Sequence, residues 1–182
     1  MPTKNDLSLA LTKRAALAAT LALLALAACA STTTIQHGAK VPGKRWALLP
    51  IVNASDVARA DEGSRAILET VLYARGIEKL VVAPRQQPGG LSLDERRRVD
   101  EAVAWALKEG LTVGITGSVN EWRYRPLDGL AAVGMSLTVL DLHDGRVLWT
   151  ASGSRSGASG ETVSGTAQRL LQELTGGLEL EK

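Results

Sequence analysis

The spacing of apolar residues along the chain changes from helical to strand-like near residue 111. Upstream, two segments repeat apolar residues every three to four positions. Downstream, three segments alternate with a period of two before a last helical segment. The pattern predicts strands at residues 46–52, 80–82, 112–125, 131–142 and 146–155, and helices at residues 61–75, 92–109 and from 161 onward. This order predicts an α/β fold, a single-domain sandwich with helices packed on one face of a mixed sheet.

The pair Asp144-Gly145 between two apolar runs is a strong hairpin signal. A two-residue turn there places Leu140 opposite Trp149, on a different face from Val139 and Leu148. The helices must then cover the face that carries Val139. We therefore expect the second face, with Trp149 near the hairpin tip, to form an exposed apolar patch of the kind that contacts membranes or proteins. The alternative is that the N-terminal tether folds over it.

The aromatic residues are unusual, because the chain has no Phe, two Tyr and four Trp. Indole combines a large apolar area with one hydrogen-bond donor, which suits membrane and partner contacts. Trp105 falls on the polar side of the second predicted helix, beside Arg98 and Glu101, and this position predicts a subunit contact. Trp46 and Trp122 lie in predicted strands, where a core role explains them equally well.

The N-terminus has the layout of an export signal. Basic residues precede an apolar segment of residues 15–28, which is too short to span a bilayer as a helix. Leu26-Ala-Ala-Cys29 ends that segment and resembles the lipobox of bacterial lipoproteins. This implies a signal peptide at residues 1–28 and lipidation, palmitate included, at Cys29. The alternative is an ordinary export signal in which the cysteine is incidental. Ala30 is not the Asp of inner-membrane retention, so we expect the outer membrane, on its periplasmic side.

Residues 29–43 are small and polar and predict a flexible tether, which leaves residues 44–182 as the periplasmic α/β domain. Removing the three basic residues and one acidic residue of the signal from totals of 21 and 19 leaves 18 of each, so the mature charge is balanced. The sequence pI of 8.8 therefore owes much to the signal and does not indicate a nucleic-acid footprint. With Cys29 lipidated, no thiol remains for catalysis or a metal.

The sequence predicts no enzyme and no cofactor. His37 lies in the tether and His143 in a turn, and no histidine pair has the spacing of metal ligands. No glycine-rich segment has a phosphate-binding pattern.

Three segments resemble a family of small periplasmic α/β proteins. They are Arg45-Trp-Ala-Leu-Leu-Pro50, Gly114-Ile-Thr-Gly-Ser-Val-Asn-Glu-Trp-Arg-Tyr124 and Gly145-Arg-Val-Leu-Trp-Thr-Ala-Ser-Gly153. The family includes the subunit domain of the curli secretion pore and the lipoprotein activators of penicillin-binding proteins. Within it, the second segment is most similar to the PelC lipoproteins of Pel exopolysaccharide export. The resemblance covers about residues 44–178.

The resemblance implies a homo-oligomeric ring, a dodecamer, at the outer membrane, which guides a cationic biofilm polysaccharide to the outer-membrane porin PelB. It implies a membrane contact for Trp149, and it makes Asp128, with Glu121 behind it, the candidate acids for guiding the polymer. The alternative function is a periplasmic lipoprotein that binds and activates a peptidoglycan synthase. A tether of about 15 residues has a mean reach of about 20 Å, which favours work close to the membrane.

Overall fold

The computed structural model describes residues 32–36, 40–42, 45–84 and 92–181. The strands are β1 (Thr32–Gln36), β2 (Val41–Pro42), β3 (Trp46–Asn53), β4 (Leu80–Val82), β5 (Val113–Tyr124), β6 (Ala131–Asp141), β7 (Val147–Ser156) and β8 (Leu180–Glu181). The helices are α1 (Ala60–Ala74), α2 (Ser92–Lys108) and α3 (Val163–Gly176). Every element that the sequence predicts is present, with bounds that differ by one or two residues at most ends.

Six strands form one mixed sheet in the order β1-β7-β6-β5-β3-β4. β3 is parallel to both of its neighbours, β4 and β5, and the remaining pairs are antiparallel. β2 and β8 form a separate parallel pair. The predicted α/β class with a mixed sheet is confirmed.

The helices lie on both faces of the sheet. Trp46 and Leu48 point to the main core beneath α1 and α3, whereas Ala47 and Leu49 point to a second cluster with Ala106 of α2. Strand order explains the difference from the one-face expectation. β4 and β5 flank β3 on opposite sides, so the two right-handed crossovers run in opposite directions and must use opposite faces.

Part of the predicted tether is structured. β1 pairs antiparallel with the edge of β7, and Val41 of β2 is fully buried in the main core. The run Thr-Thr-Thr-Ile-Gln has β-branched residues at four of five positions, which favour an extended edge strand. The expectation of a flexible tether over residues 29–43 is therefore wrong for these two segments.

The expected exposure of Trp149 is also wrong. Its side chain is 2% exposed and lies in the main core, because Trp149 pairs with Val139 rather than Leu140. The turn is longer than two residues, with Gly145 donating its N–H to the Asp141 carbonyl over 2.9 Å, and a bulge follows where the register shifts. A register error of one residue moves a side chain to the opposite face.

The other strand tryptophans also belong to the main core. Trp46 is fully buried, and its indole N–H donates to the Pro42 carbonyl over 2.7 Å. Trp122 is half-buried against the same cluster. Within the described part of the chain, no helix has the length and apolarity needed to cross a membrane.

Candidate functional site

The face of β5, β6 and β7 that points away from α1 and α3 is lined by hydroxyl side chains, and we call it the open face. Thr116 pairs with Thr138, and Ser118 pairs with Ser136. The rows continue onto β7, where the matching residues are Thr150, Ser152 and Ser154. Among the described elements, α2 is the helix on this side of the sheet, and it packs against β3. The hydroxyl rows are thus left facing outward.

Some of these hydroxyls are already engaged. The Thr116 hydroxyl donates to the Pro50 carbonyl over 2.7 Å, and the Thr150 hydroxyl donates to the Leu137 carbonyl over 2.9 Å. Both threonines therefore present mainly their methyl groups. Ser152 and Ser154 are exposed, and a hydroxyl group can both donate and accept a hydrogen bond.

A bulge in β5 brings polar groups to one end of the open face. The register shifts between Val119 and Glu121, and Asn120 then donates to the Ser136 hydroxyl over 3.4 Å. Glu121 lies opposite Gly134, which has no side chain that could cover the Glu121 side chain. The Glu121 carboxylate accepts a hydrogen bond from Arg123 over 3.0 Å in an exposed setting.

Asp128 lies in the loop between β5 and β6. It forms an ion pair with Arg125, and its Oδ1 accepts a hydrogen bond from the Leu130 backbone N–H over 3.1 Å. These contacts lower the pKa of Asp128 from its ordinary value; the Leu130 N–H is the largest cause, and Arg125 adds to it. Asp128 therefore stays ionised and holds its own loop together.

The structure thus separates the residues that the sequence singled out. Glu121 borders the open face, Asp128 lies in the β5–β6 loop, and Trp149 is inside the core. Trp105 lies in α2, is half-buried and packs against the second cluster. Cys29 and His37 lie outside the described residues.

No catalytic arrangement appears among the described residues. His143 is exposed in the β6–β7 turn, and the described part of the chain contains no group of His, Cys, Asp and Glu that could hold a metal.

The open face escaped the sequence analysis, although its signal was present. Ser and Thr recur at every second position in three strands, at 116 and 118, at 136 and 138, and at 150, 152 and 154. A period of two places such residues on one face of a sheet.

Neither a protein-family model nor a curated protein matches the chain. Among solved structures, the PelC dodecamer of Paraburkholderia phytofirmans is similar with a TM-score of 0.71. A point variant of it is 26% identical to this chain, the unsubstituted protein 25%, and each match covers 84% of this chain and 100% of PelC. The suspected relation to PelC is confirmed.

Lipoprotein GNA1162 of Neisseria meningitidis shares the fold, with a TM-score of 0.50 at 16% identity over 74% of this chain and 96% of its own. The C-terminal domain of LpoB from Salmonella enterica matches with a TM-score of 0.43 at 16% identity, over 63% of this chain and 83% of its own. That likeness is too low to argue for the synthase-activator alternative.

Proposed function

We propose that this chain is an envelope lipoprotein that assembles into a homo-oligomeric ring and assists the export of a Pel-type exopolysaccharide. The observation that carries the proposal is the similarity to PelC, which spans the whole PelC chain and most of this one. Twelve copies, a lipid on Cys29, the periplasmic side of the outer membrane, a cationic polymer and the porin PelB are the finer parts of the proposal. The chain acts without catalysis.

The open face is the surface that we assign to the polymer path. Contacts between protein subunits are poor in Ser and rich in aromatic residues, so a face of Ser and Thr is a weak candidate for a subunit contact. Exposed hydroxyls such as those of Ser152 and Ser154 form hydrogen bonds of similar free energy with sugar hydroxyls and with water. A polymer can therefore slide along this face without being trapped.

Glu121 supplies the charge on this path. Its partner Arg123 is more than half exposed, and exposed ion pairs are weak, so a cationic sugar can take the place of Arg123. A ring repeats this carboxylate once per copy, and the fields add within a narrow channel. The contacts of Asp128 favour a different role, in which it holds the β5–β6 loop.

Trp105 remains our proposal for the contact between copies. It is a half-buried aromatic side chain beside an apolar cluster on the surface of α2, which is the composition typical of interface cores.

The short free segment supports a membrane-proximal role over a reach to the cell wall. Residues 32–36 are held against β7, so two residues separate Cys29 from the first described strand, instead of a tether of about 15. The three Cα–Cα steps from Cys29 to Thr32 span about 10 Å at most.

Charge added to the open face tests the proposal in cells of the source organism. The double variant Ser152→Arg and Ser154→Arg should repel a cationic polymer, so surface exopolysaccharide should fall while the ring stays intact. The matched control places the same charges at exposed Gln168 and Gln172 of α3, which packs on the opposite face. Equal export by the two double variants would remove the open face from the polymer path. Normal export in a deletion strain would overturn the export function itself.

A further inference from the structure

The loop between β5 and β6 carries the most exposed apolar side chain of the described residues. Leu127 is fully exposed at the tip of the loop, and Tyr124 at the end of β5 is 53% exposed. An exposed leucine alone needs no explanation. Here the exposed leucine is at the tip of a hairpin and an exposed tyrosine lies near it. Together these two side chains form an apolar projection that is suited to insertion into an apolar medium.

The loop is fixed, so Leu127 is presented rather than left free to fold back. The backbone N–H of Arg125 donates to the Leu130 carbonyl over 2.8 Å, and the N–H of Gly129 donates to the Arg125 carbonyl over 2.9 Å. Asp128 ties the same turn together through Arg125 and the Leu130 N–H. The charged groups pair with each other at the base of the loop while Leu127 projects from it.

The register of β1 places Thr32, its first residue, at this same end of the sheet. Thr32 pairs with Ser154, and β1 runs antiparallel to β7, so β1 begins beside the Ser156 end of β7. That end of β7 pairs with Ala132, at the start of β6 and next to the loop. Neighbouring strands are about 4.8 Å apart, so two strand spacings, or about 10 Å, separate β1 from β6.

Cys29 precedes Thr32 by three residues, and three residues span about 10 Å at most. A lipid on Cys29 would therefore attach within about 10 Å of Thr32, and Thr32 lies at the end of the sheet that carries Leu127. The β6–β7 turn, near Val147, lies at the opposite end, about 35 Å away along the 11 residues of β6.

We infer that the β5–β6 tip, with Leu127 at its apex and Tyr124 behind it, docks into the lipid bilayer that holds the Cys29 acyl chains. The inference rests on the lipidation of Cys29 in the proposed function. Tyrosine is enriched at the boundary of membrane and water, where its ring is buried and its hydroxyl stays hydrated.

The tip adds a second attachment beside the lipid. Several acyl chains on one cysteine can hold a protein to a membrane stably, so the tip contributes mainly by fixing how the domain sits on that membrane. Burying one leucine side chain strengthens membrane partitioning about tenfold or more. In a ring the gain is repeated in every copy, so the tips would set the orientation of the whole assembly on the membrane.

Site-specific fluorescence tests the inference on the full chain, expressed in cells that process lipoproteins. Leu127→Cys and Val147→Cys are labelled with an environment-sensitive bimane dye. Val147 is 56% exposed at the opposite end of the sheet, which makes it the matched control. Each protein is reconstituted into vesicles of phosphatidylethanolamine and phosphatidylglycerol that carry nitroxides on their acyl chains. The dye at position 127 should be quenched several-fold more than the dye at position 147.

Equal quenching at the two positions, or stronger quenching at position 147, would overturn the inference. The mass of the N-terminal peptide separates this failure from that of the proposed function. An acylated Cys29 with an unquenched dye at position 127 removes the membrane tip alone. An unmodified Cys29, which would also take up the dye, would contradict both the membrane contact of the tip and the proposed lipid anchor.

Discussion

Substitutions at Trp149 test whether this residue belongs to the hydrophobic core or contacts the membrane. The structure buries its side chain beneath the helices, whereas the sequence resemblance implies a contact with the membrane. A buried Trp contributes about 150–250 Å² of apolar surface, and large-to-small changes of this kind cost about 3–5 kcal/mol. Since a domain of this type is stable by about 5–15 kcal/mol, Trp149→Ala should remove at least about a fifth of that stability.

Trp149→Phe should be much milder. Among the described residues, the Trp149 indole N–H has no hydrogen-bond acceptor. An unmet buried donor costs about 1–3 kcal/mol, and Phe removes that donor together with one ring. The two effects oppose each other, so we expect a net change within about 1.5 kcal/mol. Val147→Ala, on the same strand but exposed, is the matched control and should change stability by less than about 0.5 kcal/mol.

Urea unfolding followed by far-UV circular dichroism measures all three variants. The expected order of stability is Val147→Ala, then Trp149→Phe, then Trp149→Ala, with the last clearly separated. If Trp149→Ala unfolds at the same urea concentration as Val147→Ala and instead loses vesicle binding, the core assignment is refuted. Trp149 would then face the membrane.

Three further outcomes are expected. Cys29→Ser should release the protein from the membrane fraction, and full retention would show that the ring or a partner holds it. Gly117→Ala should destabilise the domain by about 1–3 kcal/mol in urea unfolding, because an added Cβ would lie 2.1 Å from a β6 carbonyl oxygen. The control Gly134→Ala should have a small effect, because its added Cβ meets its nearest atom at 3.4 Å. NMR titration should find the pKa of Asp128 below that of an ordinary aspartate, and the stabilisation it gives should be complete above about pH 4 and lost as the pH falls through the lowered pKa; an ordinary value would contradict the hydrogen bond from Leu130.

The sequence predicts the regular elements well, because their signals are local. Gly76 and Gly110, both with positive φ, follow helices at the positions where helix ends favour glycine. An isolated glycine inside a strand pattern, such as Gly117, indicates a bulge or a close approach of backbone, and the Ser136 carbonyl lies against it. Each of these features depends on a few neighbouring residues.

The errors share a different cause, since each depends on contacts between distant segments. The register at Trp149 depends on a turn longer than two residues and a bulge after it, and a slip of one residue is invisible to a period of two. The place of α2 follows from strand order, which periodicity does not contain. The pairing of Thr32–Gln36 with β7 depends on an edge that exists only after the sheet has formed.

The candidate site shows the same division. The sequence suggests Glu121 and Asp128 as candidate acids, but it does not reveal that they form ion pairs with Arg123 and Arg125. These partners come from a bulge and a loop, and both geometries appear only in the folded chain.

Native mass spectrometry of the processed lipoprotein, released from detergent micelles, tests the central claim most directly. The account predicts a single assembly of twelve copies, as in the PelC dodecamer, each carrying an acylated Cys29. A protein that remains a monomer in detergent, with its lipid attached, would contradict the ring and the export function built on it.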